Sequence, residues 1–208
     1  MRLIETASDL ADGCAHLSRV CPVWARVLPQ IGALPLRRRA DGFAAIRDAV
    51  IGQQISVAAA AAISARMTDA GLTTETAIAA APEDALRAAG LSRPKVRYLR
   101  AIAAAGIDWP TLRDLPDDQV IAVLTALPGI GLWTAEIYLK FALGRPDVLA
   151  GADLALQEAA RLMYALPERP TPAALMALAE PWRPWRAVAA RGLWAYYRQV
   201  KAREGILA

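Results

Sequence analysis

Apolar residues recur along this chain at the three- and four-residue spacing of one helix face, in short windows cut apart by proline and glycine. The pattern predicts helices over about 7–20, 22–30, 42–51, 55–70, 74–80, 82–89, 92–105, 117–126, 132–143, 153–164, 172–179 and 184–203. No alternation of β-branched residues lasts more than a few positions, so strands are not expected. Several windows carry their own start signals. Ser56 opens an alanine-rich run, Pro82 sits at a first turn, and Pro116-Asp117-Asp118 puts acids at a helix N-terminus. Gly71, Gly90, Gly106 and Gly144 fall where helices should stop. With connections this short, the expectation is a compact all-α bundle.

Composition narrows the setting. A chain of 208 residues, 56% hydrophobic, can offset its ordering entropy with a substantial core. Its most apolar stretch, Ala49 to Ala65, contains Gln53, Gln54 and Ser56 and is fenced by Arg47, Asp48 and Arg66. That fits a buried helix better than a membrane span. The N-terminus, MRLIETASDLADG, has acids where a signal peptide would be apolar. A cytoplasmic monomer with no membrane partner is therefore expected. Cys14 and Cys21 match no zinc or iron–sulfur spacing and read as buried thiols. The net charge is only +4, but from Pro181 onward five arginines and Lys201 face a single Glu204. Such an end suits a phosphate backbone, and equally a solvated helix face.

Two short segments carry candidate chemistry. In Leu127-Pro128-Gly129-Ile130-Gly131 the glycines allow a sharp turn and let a phosphate approach the amides, with the next helix presenting its positive end. The same five residues also fit an ordinary helix–helix turn. Asp153 follows a Gly-Ala turn and precedes an apolar helix, so alone it reads as an N-cap.

Taken together, LPGIGLWTAEIYLKFALGRPDVLAGADLALQ resembles the helix-hairpin-helix and Gly/Pro…Asp loop of the HhH-GPD base-excision glycosylases, in particular the bacterial 3-methyladenine DNA glycosylase II group. Three more stretches fit in order. FAAIRDAVIGQQISV is similar to that family's duplex-probing loop, GLSRPK to its GLSxxK turn, and EPWRPWRAVAARGLW to its C-terminal helix. The likeness runs from about Phe43 to Tyr197. It implies one glycosylase unit over 1–208, a two-lobed bundle with a cleft between the lobes. One lobe would be mainly about 42–125, the other the N-terminal helices with about 145–208, and the hairpin, about 118–143, would lie between. Only about forty residues precede the shared region, so the N-terminal α/β lobe of some relatives is not expected.

The resemblance also assigns roles. An alkylated purine is cationic and its glycosidic bond weak, so one carboxylate, Asp153, would stabilise the charge developing on the sugar. Trp133 stands where strand-cutting relatives have a Schiff-base lysine. The chain has only three lysines, and Lys140 lies seven residues further on, so no lyase step is expected. Trp133, Trp194, Glu136 and Ile137 would form the base pocket, aromatic rings favouring a cationic base. Trp194 lies about 180° around an ideal helix from Trp185, so one apolar stripe cannot bury both. Glu136 reads either as a pocket acid or as a solvated helix residue. Gln54 aligns with the wedge that fills the hole left by an extruded base, and equally fits a polar helix start. Gln53, Gln54, Gly129, Ile130, Gly131 and Thr134 are the expected DNA contacts. No cofactor would be required, although backbone carbonyls of Thr125, Leu127 and Ile130 match a site for Na+ or K+. Ala150 and Ala152 depart from the family loop and predict looser aiming of Asp153. Two other functions stay open: a non-catalytic DNA-binding protein, and a glycosylase for neutral bases with Glu136 as general acid.

Overall fold

A computed structural model of the chain describes residues 2–203, and these are helical throughout, with no strand. Glu204, part of the basic end, lies outside the described residues. A helix occupies every predicted window, and two unpredicted 3-10 turns, Pro110–Arg113 and Glu180–Trp182, fill connections. Among the described residues no helix is long and apolar enough to cross a membrane. The contacts divide the chain into two units: its two ends, up to Arg38 and from Gly144, and the segment Arg39–Leu143 between them.

The unit built from the two ends contains α1 (Ala7–Val20), α2 (Pro22–Ile31), α10 (Leu154–Met163), α11 (Pro172–Leu178) and α12 (Arg186–Arg203). The long α12 packs on α1, α2 and α10. Leu156, Ala159, Ala160 and Met163 recur on one face of α10 and enter a core with Leu10, Leu17, Trp24, Trp182 and Leu193. Trp24 meets Trp182 edge-on with centroids 5.5 Å apart. Two glycines permit the close approach: a Cβ at Gly13 would lie 2.6 Å from Val188, and one at Gly192 2.6 Å from the Trp24 ring. α12 starts at Arg186, because the 3-10 turn and Pro184 occupy the residues before it. Trp185 immediately precedes the helix, its carbonyl accepting the Val188 and Ala189 amides, and it is buried in this core while Trp194 is only half-buried. Cys14 and Cys21 are free and only half-buried, not fully buried, with Cys21 Sγ 3.3 Å from the Tyr164 hydroxyl.

The middle unit contains α3 (Phe43–Gly52), α4 (Val57–Asp69), α5 (Glu75–Ala80), α6 (Glu83–Ala88), α7 (Arg93–Ala104), α8 (Asp117–Thr125) and α9 (Leu132–Phe141). α7 packs against α3, α5 and α6, and buries Val96, Leu99 and Ile102 at helical spacing. α8 and α9 pair as the hairpin. Trp109 joins the layers: its ring lies 6.4 Å from Phe43 and 6.2 Å from Tyr138, and its indole N–H donates to Glu75 at 2.9 Å.

The start of α1 shows how local chemistry sets an element. Thr6 and Asp9 form a reciprocal capping box. The Thr6 hydroxyl, the Glu5 amide, the Arg2 guanidinium and the Thr6 amide hold the Asp9 carboxyl well below its usual range. A depressed carboxyl contributes stability above its unfolded value, near 4, and loses it as the pH falls through the folded value. The melting temperature of Asp9→Asn should therefore lie below that of the wild type at neutral pH, with the gap closing as the pH drops below about 4. Thermal melts across that range by circular dichroism test this, and a gap independent of pH would refute it.

Candidate functional site

In the middle unit, the residues after α3 form an exposed loop with an unusual backbone. Gln54 has φ +59°, a left-handed conformation that costs a non-glycine residue about 1–2 kcal/mol. Its side chain is exposed, as are Ile55 and Val57, the latter at 88%. Ser56 caps α4 by accepting the Ala59 amide. The loop is tied down from behind. The Lys95 ammonium, on the first turn of α7, donates to the carbonyls of Ile51 (2.7 Å) and Gln53 (2.8 Å). Burial pushes that ammonium below its ordinary pKa. The Gln53 side-chain amide donates to the Gly129 carbonyl at 2.9 Å. Gln53, expected at DNA, instead joins this loop to the hairpin turn.

That turn, residues 126–131, has two glycines in different situations. Gly129 has φ +81°, and a Cβ there would lie 2.4 Å from the Tyr98 ring. Gly131 has φ −92° and nothing within 4 Å of a Cβ position. The Ile130 amide donates to the Leu127 carbonyl at 3.2 Å and its side chain is buried, so Ile130 serves the turn itself rather than offering its side chain to DNA. α9 begins at Gly131 with no side-chain cap, which leaves its first turn of amides at the open side of that glycine. The Leu127 carbonyl, already an acceptor, keeps a second lone pair. It is one of the three carbonyls, with those of Thr125 and Ile130, that the resemblance implies for a monovalent cation.

Helical spacing puts Trp133, Glu136, Ile137 and Lys140 on one face of α9. Their exposures differ sharply. Trp133 is 47% exposed, Glu136 8% and Lys140 0%. Glu136 is therefore not a solvated helix residue. Thr134 is buried, and with Ile137 it lines a shallow recess facing Ala45, Ile46 and Ala49 of α3.

In the other unit, Asp153 is the N-cap of α10, and its Oδ1 accepts the amides of Ala155 (2.9 Å) and Leu156 (3.1 Å). Capping thus engages one of the two carboxylate oxygens. The loop before it is firmly held, contrary to the looseness that Ala150 and Ala152 suggest. The Asp153 amide donates to Ala150 O (3.0 Å), and the Gln157 side chain, one turn into α10, donates to Gly151 O (2.8 Å). Ala150 is fully buried. Upstream, Arg186 grips Asp147 through Nε (2.7 Å to Oδ1) and Nη2 (3.0 Å to Oδ2), and Arg183 adds a third contact at 2.8 Å. Trp194 and Tyr197 are half-buried against this unit's core.

Lys95, Tyr98, Gln157 and the Asp147–Arg186 pair had no role in the sequence reading. Only Lys95 left a signal there, inside GLSRPK and as one of three lysines among 21 arginines.

Comparisons with known proteins place this geometry. Residues 48–184 match the family model described as HhH-GPD superfamily base excision DNA repair protein. The chain is 31% identical over 202 residues to DNA-3-methyladenine glycosylase 1 of Schizosaccharomyces pombe, covering 91% of this chain and 89% of that one. It superimposes on the solved structure of a 3-methyladenine DNA glycosylase from Schizosaccharomyces pombe in complex with abasic DNA, with TM-score 0.78 and 30% identity, over 88% of this chain and 95% of that one. A DNA-3-methyladenine glycosidase from Bacillus halodurans gives TM-score 0.80 at 29% identity, over 90% of this chain and 89% of that one. The chain belongs to the HhH-GPD superfamily of base excision DNA repair proteins.

Proposed function

We propose that this protein is a monofunctional DNA glycosylase that extrudes alkylated purines, of the 3-methyladenine and 7-methylguanine type, and hydrolyses their N-glycosidic bond. The observation that carries the reading is Asp153, a carboxylate fixed at the start of α10 by two amides, on a loop pinned by Gln157 and Arg186. The relatives' names support the substrate class. When the bond breaks, its electron pair leaves with the purine and cancels the base's positive charge. The sugar is left cation-like, Asp153 stabilises it, and water adds at the vacated carbon with loss of a proton.

The other residues bind and orient. Gly131 and the first amides of α9 receive a backbone phosphate. Sodium or potassium held by the carbonyls of Thr125, Leu127 and Ile130 would add positive charge at that turn. Gln54, exposed at the tip of its loop, occupies the space of the extruded base. Trp133 in the middle unit is proposed to offer a π-face to a cationic base, as is Trp194 in its own unit, and Glu136 and Ile137 are proposed base-binding residues. The lysines support the absence of a lyase step. Lys95 is engaged by two carbonyls, Lys140 is fully buried, and Lys201 lies near the end of α12, 5.9 Å from the Tyr197 ring. The protein is expected to act as a monomer in the cytoplasm.

Asparagine caps helices as well as aspartate does, so Asp153→Asn removes the charge while keeping the fold. It should lower base release from methylated duplex by at least about a hundredfold, with DNA affinity retained. Chromatography of the released bases, alongside binding to abasic duplex, tests this; near-normal turnover would sink the catalytic role of Asp153.

Gly131→Ala should fold normally yet weaken duplex binding several-fold, because its Cβ meets only the space proposed for phosphate. Gly129→Ala should instead lower the melting temperature, for φ +81° and Tyr98 both oppose a side chain. Equal effects of the two on stability would argue for an ordinary turn.

Borohydride added during turnover should trap no covalent protein–DNA adduct. An adduct that survives denaturing electrophoresis would reveal an amine nucleophile and overturn the monofunctional reading.

A further inference from the structure

One face of α7 reaches both loops that the proposed function brings to DNA. Lys95 and Tyr98 are three residues apart, so they stand one above the other on the helix. Lys95 holds the carbonyls of Ile51 and Gln53, on either side of Gly52 and immediately before the strained Gln54. Tyr98 packs its ring where a Gly129 side chain would begin. The Gln53 amide closes the circuit by donating to Gly129 O.

The chemistry at Lys95 suits this arrangement. The end of a helix leaves carbonyls without amide partners, and Ile51 lies in the last turn of α3. A point-like ammonium on a long stem can satisfy two carbonyls that diverge around a turn. A guanidinium presents its donors in one plane and suits carboxylates and phosphates better. The chain uses arginine at 21 positions and lysine at three, and one of the three is here. Neither Lys95 nor Gln53 is proposed to touch DNA. Their bonds fix the backbone that aims Gln54.

We propose that Lys95 and Gln53 are positioning residues that brace the Gln54 loop against the hairpin turn, so that seating a phosphate at Gly131 and inserting Gln54 occur as one event. The inference rests on the proposed wedge and phosphate roles. It is independent of the bond-breaking step. Without the brace the hairpin would still hold duplex, but Gln54 would have no fixed direction, and extrusion of a paired base would slow.

The test uses the full chain carrying Asp153→Asn, so that extrusion is followed without chemistry. A duplex with 2-aminopurine beside the target base fluoresces as the stack opens, and stopped-flow mixing gives the rate. Adding Lys95→Met, which keeps the stem and removes the donors, should slow that rise about tenfold, the loss expected of a charged hydrogen bond. Affinity for undamaged duplex should change less than about twofold. Restoring Asp153 in the Lys95→Met protein, single-turnover release from a paired lesion should fall in parallel, while release from the same lesion in an unpaired bulge stays near that of the wild type. Gln53→Met should reproduce the pattern through the other bond, which keeps the test decisive should Lys95→Met melt early. An unchanged rise in both variants overturns the brace. So does an equal loss on paired and bulged lesions, the mark of a merely structural role. Absence of any rise with Lys95 and Gln53 intact overturns the wedge, and the brace with it. Failure to release bases from methylated DNA would overturn the proposed substrate while leaving the extrusion measurement intact.

Discussion

The hairpin turn depends on a left-handed glycine pressed against an aromatic ring. With φ +81° and Tyr98 occupying the place of a side chain, Gly129 fixes where the chain reverses and lets Ile130 fold its amide back onto Leu127. That reversal brings α8 and α9 together and leaves Gly131 facing open space at the head of α9. The two glycines sit in different situations: a Cβ at Gly129 would meet the Tyr98 ring, whereas one at Gly131 would meet nothing, the space where the proposed phosphate would sit.

Asp153 combines two demands in one side chain. Its Oδ1 completes the start of α10, so the folding of that helix itself aims the carboxylate. The supports are cumulative. Gln157 holds the Gly151 carbonyl, Asp153's own amide is held by Ala150, and Arg186 anchors the loop further back at Asp147. Such bonds cost little in a helix that forms anyway, and they restrict the carboxylate to a narrow range of positions, as a site of electrostatic stabilisation needs. Alanines in the loop, read as looseness in the sequence, are compatible with this because the restraints need no side chain at Ala150 or Ala152.

Helices were legible in the chain because proline, glycine and capping residues mark nearly every boundary, and the buried positions follow helical spacing, as in Val96, Leu99 and Ile102. The hairpin was legible for the same reason: its signal is local. What the sequence did not show is what connects residues far apart. Lys95 and Ile51 are separated by 44 positions, Gln53 and Gly129 by 76, and no periodicity encodes either. Gln54's left-handed backbone is likewise invisible, since glutamine is not a residue that announces it. Glu136 stays ambiguous in the sequence for a related reason: a carboxylate on a helix is usually solvated, and only tertiary packing buries this one.

The arrangement of α7 ties these points together. It packs on α3, α5 and α6, so its position is set by the core of the middle unit rather than by any loop. From that fixed base Lys95 and Tyr98 reach the exposed Gln54 loop and the hairpin turn. An exposed loop carrying a strained residue would otherwise relax, because left-handed glutamine has no intrinsic reason to persist. Recognition of a damaged base independent of its neighbours requires a wedge that meets every sequence in the same pose, with affinity supplied by phosphate rather than by base edges. A rigid core helix that grips backbone carbonyls would give the proposed wedge that pose whatever base lies beyond the loop. In the proposed brace the strain at Gln54 is held by three hydrogen bonds, two from Lys95 and one from Gln53, whose donors need not contact the DNA.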